Sequence, residues 1–349
     1  MKNLILVLTL TFLSNFLMAQ QKAEAEKLIS EGIIYHDKGD YATAISKYDK
    51  ALELDNDNLI ALAEKAYSLI SMKKYNETIE CCRRAIEKHP GESDLKLVYV
   101  TYGNALDGLK KPEESIEIYN TGIAVFPDYY QLHFNKGITL SGMEKTDDAL
   151  LCFQKSATLN PRHASSHHAI AVLENNKIPS VLALCRYLSL DAKSDRAKSN
   201  LERLQNKLKE NVKQTGEKSV TISLDSDMLK NPGKDGENNF STADLILSMA
   251  GALDYDKKYK KETEVERFSR KLEAISSVLG ESQEKGSGFY WKYYAPYFIE
   301  MNNNHFIETF AYLAFSSSNE SYVAKWINSH KAEVDKFLEW SGKFVWKTN

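Results

Sequence analysis

The sequence predicts an all-α protein: a solenoid of about five helical hairpins, then a small aromatic-rich helical module. Three observations lead there. A set of small, large and proline positions returns every 34 residues through the first half of the chain. Proline and glycine are scarce, 7 and 16 in 349 residues, which leaves long stretches open to helix. In the second half, apolar residues recur at alternating spacings of three and four. The net charge of −3 offers no basic field for nucleic acid and no Lys-rich amphipathic stretch for anionic lipid.

Taken in chain order, residues 1–19 differ from the rest. Lys2 is the one charge, an apolar run follows from Leu4 to Leu13, and Ala19 is small. The run is too short to span a bilayer and has no polar face. These features predict a signal peptide cleaved after Ala19, hence an exported, periplasmic or secreted protein. Leu17 departs from the small residue favoured at that place in a cleavage site. No cysteine stands nearby for lipid attachment, and no later segment is apolar for long enough to be transmembrane.

The repeat begins at Ala25 and restarts at Leu59, Lys96, Tyr130 and Ala164, with Ser93 to Leu95 inserted before the third unit. Position 8 is small: Gly32, Ala66, Gly103, Gly137, Ala171. Position 20 is Ala44, Thr78, Ser115, Ala149, Ala183, and position 27 is Ala51, Ala85, Gly122, Ser156, Leu190. Position 24 is mostly large: Tyr48, Cys82, Tyr119, Phe153, Tyr187. Position 32 is Asn56, Pro90, Pro127, Pro161, Asp195. Small residues let two antiparallel helices approach, the larger one fills the gap between hairpins, and proline stops the second helix.

This pattern resembles the tetratricopeptide repeat, over residues 25 to about 197. The repeats read as 25–58, 59–92, 96–129, 130–163 and 164–197, with 198–210 as a polar capping helix. The first lacks the proline. The fifth departs at Leu190 and Asp195 and reads as a degenerate closing repeat.

The resemblance implies a concave face lined by first helices at positions 2, 5, 9, 12 and 13. The candidate lining residues are Ile29, Ile33, Ile60, Tyr67, Ile70, Leu97, Val100, Asn104, Phe134, Ile138, His168 and Val172. Such a lining suits an apolar helix or extended segment of a protein partner, or the chain's own C-terminal module. Repeat proteins that grip the C-terminal carboxylate of cytosolic chaperones use Lys, Arg and Asn at positions 2, 5, 6 and 9. Here no Lys or Arg occupies position 2 or 5, so that clamp is not expected even though Asn104 sits in a matching slot.

Residues 211–239 break the pattern with Gly216, Asn231-Pro232-Gly233 and Asp235-Gly236. Val220 to Leu224 alternates as a strand would, but a lone strand leaves its edges unpaired, so the segment reads as a linker. Asp225 and Asp227 hint at a calcium loop, which Leu229 and Lys230 spoil.

Residues 240–349 read as helices: one capped by Ser241, a second with Val265, Phe268, Leu272, Ile275 and Leu279 that ends at Gly280, and a third through Phe289 to Phe298. A fourth runs from about His305 to Phe315, before a final pair. All four tryptophans lie here: Trp291, Trp326, Trp340, Trp346. The aromatics form either the core of a small domain or a platform for carbohydrate or peptide; their helical spacing favours a core.

Nothing points to catalysis. There is no G-x-S-x-G, no Gly-rich loop after a strand and no H-E-x-x-H. Glu300, His305 and Glu308 are the best candidate set, yet Asn302 to Asn304 reads as a turn and cap with His305 in the first helical turn. His163, His167 and His168 lack a carboxylate to complete a metal site, and Cys81, Cys82, Cys152 and Cys185 form no C-x-x-C pair. The expectation is a non-catalytic protein-binding scaffold of the bacterial envelope with no cofactor or metal. The alternatives are an envelope or carbohydrate binder using the aromatic module, and a hydrolase sited there.

Overall fold

The computed structural model describes residues 2–216, 219–223, 237–284 and 286–347, with side chains from residue 17 onward. The calcium hint at Asp225 and Asp227 lies outside the described residues. Helical hairpins follow in order: α1 (Lys2–Asp37) with α2 (Tyr41–Leu54), α3 (Leu59–Ser71) with α4 (Tyr75–Lys88), and α5 (Leu95–Gly108) with α6 (Pro112–Val125). Next come α7 (Tyr130–Gly142) with α8 (Thr146–Leu159), and α9 (Ala164–Leu173) with α10 (Lys177–Leu190). A capping helix, α11 (Asp195–Lys209), follows.

Local chemistry sets the boundaries. Asp40 accepts from the Thr43 amide at 3.1 Å and Asn58 from Ala61 at 3.0 Å, so each caps a helix N-terminus; Pro112 occupies the first turn of α6. The link inside each of the first four hairpins turns on one left-handed residue at position 15: Gly39, Lys73, Lys110 and Glu144, with φ between 59° and 79°. The fifth hairpin lacks this turn, since α9 stops at Leu173 and α10 starts at Lys177.

The pairing of positions 8 and 24 has a steric basis. A Cβ on Gly32 would collide with the Tyr48 ring, and one on Gly103 with the Tyr119 ring. Both tyrosines are fully buried, so each glycine is the floor on which a ring lies. Ala44, Ala51, Ala66, Ala85 and Ala149 are likewise fully buried.

The chain divides into two compact units, Met1–Cys152 and Phe153–Asn349. The sequence places its change of module at 211–239; the division falls earlier, inside the fourth repeat. The reason lies in the second unit, where α10 is buried on every side from Lys177 to Leu188. It is packed by α9, α11 and the helices Ser241–Ala252 and Ile307–Ala314. The fifth repeat is therefore the hub of the second unit.

The linker reading is corrected over part of its length. Strands β1 (Val212–Gly216) and β2 (Ser219–Ile222) pair antiparallel, Val212 opposite Ile222. The strand that lacked a partner finds one next to it in the chain, and buried Val212 lies against Gly251 in Ser241–Ala252. Ser241 is the first residue of that helix rather than its cap: Phe240 holds the N-cap position, and Asn239 Oδ1 accepts from the Ser241 amide and hydroxyl. The remaining helices are Glu264–Ser282, Phe289–Tyr293, Ala295–Asn303, Ile307–Ala314, Ser321–Ser329 and Lys331–Lys343. Thr263 and Glu266 close a capping box on the first of these.

Candidate functional site

In the first unit, α1, α3, α5 and α7 are successive neighbours, so their outward side chains share one face. Large apolar residues remain exposed there: Tyr67 is 54% exposed, Leu97 50%, Ile138 49% and Ile60 39%. Ile33, Ile70, Val100 and Phe134 are half-buried beside them. Ile29 is a correction. Ala25, Ile29 and Gly32, spaced four and three apart, form the buried stripe of α1, and Ile29 belongs to the core with Tyr48 and Leu62.

Polar groups hold this face in place. His36 stacks on Tyr67 with ring centroids 4.6 Å apart, meets Tyr41 edge-on, and shares a 2.8 Å hydrogen bond with Ser68 through Nδ1. The Tyr119 hydroxyl donates to Asn104 Oδ1 at 2.7 Å, and Thr139 donates to Asp107 Oδ2 at 2.6 Å. Asn104 thus ties α5 to α6, and burial raises the Asp107 carboxyl above its ordinary pKa. Glu64 is half-buried and its pKa is raised, first by burial and then by Asp37. His36 and Asp107 stand at position 12 of their repeats, one of the expected lining positions, whereas Glu64, at position 6, was not among the residues expected from the sequence. Glu64 stands three residues before Tyr67, which was the available signal for a shared helix face.

His168 and Val172 lie in the second unit. Val172 is exposed, but His168 is half-buried, bonded to Asn200 of α11 at 3.0 Å and set against the Tyr187 ring. It is a packing residue under the capping helix, which corrects its assignment to a groove.

The aromatic module is built as a core. Tyr290, Trp291, Tyr293, Tyr294 and Tyr297 are each at most 7% exposed. Trp326 is clamped between Tyr312 and His330, each 4.1 Å away. At the centre lies Arg186, itself buried, with its guanidinium 4.6 Å from Trp346 and 5.1 Å from Tyr297. It donates to the Pro161 carbonyl and to Ser341, and no carboxylate pairs with it among the described residues. His167 accepts from the Tyr294 hydroxyl at 2.7 Å and donates to the Pro161 carbonyl at 3.0 Å. Burial, then the Arg186 charge, lowers its pKa to about 3, so the ring is neutral.

The candidate catalytic set is not brought together. Glu300 accepts from the Trp340 indole at 2.7 Å and lines a cavity of about 580 Å³ with Tyr293, Pro296 and Phe344. Glu308 lines a separate cavity of about 200 Å³ beside Glu273. His305 is exposed in the turn between two helices, with φ 58°, rather than in a first helical turn. Among the described residues no three His, Cys, Asp or Glu are grouped for a metal ion. Cys81, Cys82 and Cys185 are buried thiols whose pKa burial pushes up.

A family model described as tetratricopeptide repeat matches residues 25–58, the first hairpin. The same two-helix hairpin recurs in the structure through α10. This chain has a tetratricopeptide-repeat solenoid. Among curated proteins it is similar to an Hsp70-Hsp90 organizing protein of Triticum aestivum, 30% identical over 41% of this chain and 24% of that one. It is also similar to a small glutamine-rich tetratricopeptide repeat-containing protein of Dictyostelium discoideum, 35% identical over 31% of each chain. The chain thus spans about a quarter to a third of these relatives. A thermophilic TPR protein of Thermus thermophilus aligns at 16% identity with a TM-score of 0.44, covering 53% of this chain and 98% of that one.

Proposed function

We propose that this protein is a non-catalytic interaction scaffold of the bacterial cell envelope, and that the first unit's repeat face takes a segment of a protein partner. The observation that carries the reading is the run of exposed Tyr67, Leu97 and Ile138 on successive first helices. Exposed apolar surface of this kind is costly in water and marks association sites. Two relatives named for organizing Hsp70 and Hsp90 and for tetratricopeptide repeats support a binding role. The carboxylate clamp is not part of the proposal, because positions 2 and 5 carry no Lys or Arg and Asn104 is engaged by Tyr119.

A photo-crosslinking side chain at Leu97, compared with one at Glu117 on the exposed side of α6, tests the reading. Adducts with a polypeptide are expected from Leu97 alone, and Tyr67→Ala should abolish them. Equal adducts from both sites, or none from Leu97, would refute the groove. The envelope part of the proposal rests on Lys2, the apolar run and Ala19. The mature protein is expected to begin at Gln20; an intact Met1 on envelope-located protein overturns export.

A further inference from the structure

Several acidic side chains of the first unit sit against a cation: Glu31 meets Lys47 at 2.6 Å, Asp49 meets Lys65 at 2.6 Å, and Asp57 meets Arg84 at 2.9 Å. Glu64 and Asp37 do not. Among the described residues no Lys or Arg pairs with either. Lys65, next to Glu64 in sequence, is turned to Asp49 instead. Glu64 sits one turn before exposed Tyr67 on α3, and Asp37 follows His36, whose ring is stacked on Tyr67. Two like charges, one half-buried, thus flank the aromatic pair at the apolar face. Burying Glu64 and placing it near Asp37 both disfavour its ionised form, and its pKa is raised accordingly. A cation delivered from outside would relieve both costs at once.

We propose that the segment taken by this face is cationic as well as apolar, with apolar side chains against Tyr67 and Leu97 and a lysine or arginine against Glu64 and Asp37. This rests on the groove reading above and adds the chemistry of the occupant. An acidic segment, or a bare C-terminal carboxylate, would meet like charge at the same place.

The test is fluorescence anisotropy of the full chain with three labelled helix-forming peptides. Each carries a leucine stripe flanked by lysines, glutamines or glutamates. At low salt the lysine peptide is expected to bind about fivefold or more tightly than the glutamine peptide, with the glutamate peptide weakest. The double variant Glu64→Gln, Asp37→Asn should erase that preference, so that the lysine and glutamine peptides bind it alike. Tyr67→Ala should weaken all three. Equal binding of the lysine and glutamine peptides, or tighter binding of the glutamate peptide, overturns the charge inference. In those cases continued dependence on Tyr67 keeps the groove. Failure of all three peptides to bind overturns both readings.

Discussion

Gly103 and Gly142 both lie on first helices, yet they should respond in opposite ways to one methyl group. A Cβ on Gly103 would collide with the Tyr119 ring, whereas Gly142 has open space around it. Gly103→Ala is therefore expected to cost about 1–3 kcal/mol through overpacking. Gly142→Ala should be neutral or stabilising by up to about 1 kcal/mol. Urea titrations of both variants decide this, and equal effects would contradict the ring-on-glycine contact. His167 gives a second residue-scale expectation. Its folded pKa of about 3 lies below the ordinary 6.5, so unfolding takes up a proton as pH falls. Its contribution is complete above pH 6.5 and drains away toward pH 3. Burial lowers the pKa of His163 and His168 as well, which adds in the same direction. The thermal midpoint should drop between about pH 7 and about pH 4, and drop less in His167→Gln. The sequence showed three nearby histidines, but only the fold shows that one is sealed between Tyr294 and Pro161.

At the scale of elements, two features were hidden in the sequence for different reasons. The left-handed turn at position 15 is shared by four hairpins, but only Gly39 advertises it; Lys73, Lys110 and Glu144 adopt the same conformation with a Cβ. Relieving that strain, Lys110→Gly should raise stability by up to about 1 kcal/mol in denaturant melts. The other feature is the buried ion pair between Lys177 at the start of α10 and Asp244 in Ser241–Ala252, 2.7 Å apart. It joins elements 67 residues apart (244 − 177), a spacing no local pattern encodes. Lys177→Met leaves the largely buried Asp244 with its charge unpaired and should cost up to about 3 kcal/mol. Adding Asp244→Leu should recover much of that loss. If the double variant is no more stable than the single one, the pair is not what fixes this contact.

At the scale of the molecule, the second unit is organised around α10, a repeat helix covered by elements from the C-terminal third of the chain. Cutting the chain after about residue 210 would expose a helix with no polar face. Hydrogen exchange on that fragment should show α9–α11 losing protection while α1–α6 keep theirs. Retained protection in α9–α11 would mean that the fifth hairpin is stable alone, as an ordinary closing repeat would be.

The sequence by itself determined the helical hairpins, because small, large and proline positions act through neighbours within about one repeat and so leave a period. It also placed Tyr67, Leu97 and Ile138 on first helices, where the structure leaves them exposed. The tertiary structure decided what covers what. Ile29 turned inward, His168 passed under α11, the expected linker paired as a hairpin, and the aromatics closed over Arg186 instead of facing solvent. Each of these depends on contacts between residues distant along the chain or on packing between elements. Such contacts are selected by the total apolar area removed from water, which no single window of sequence contains.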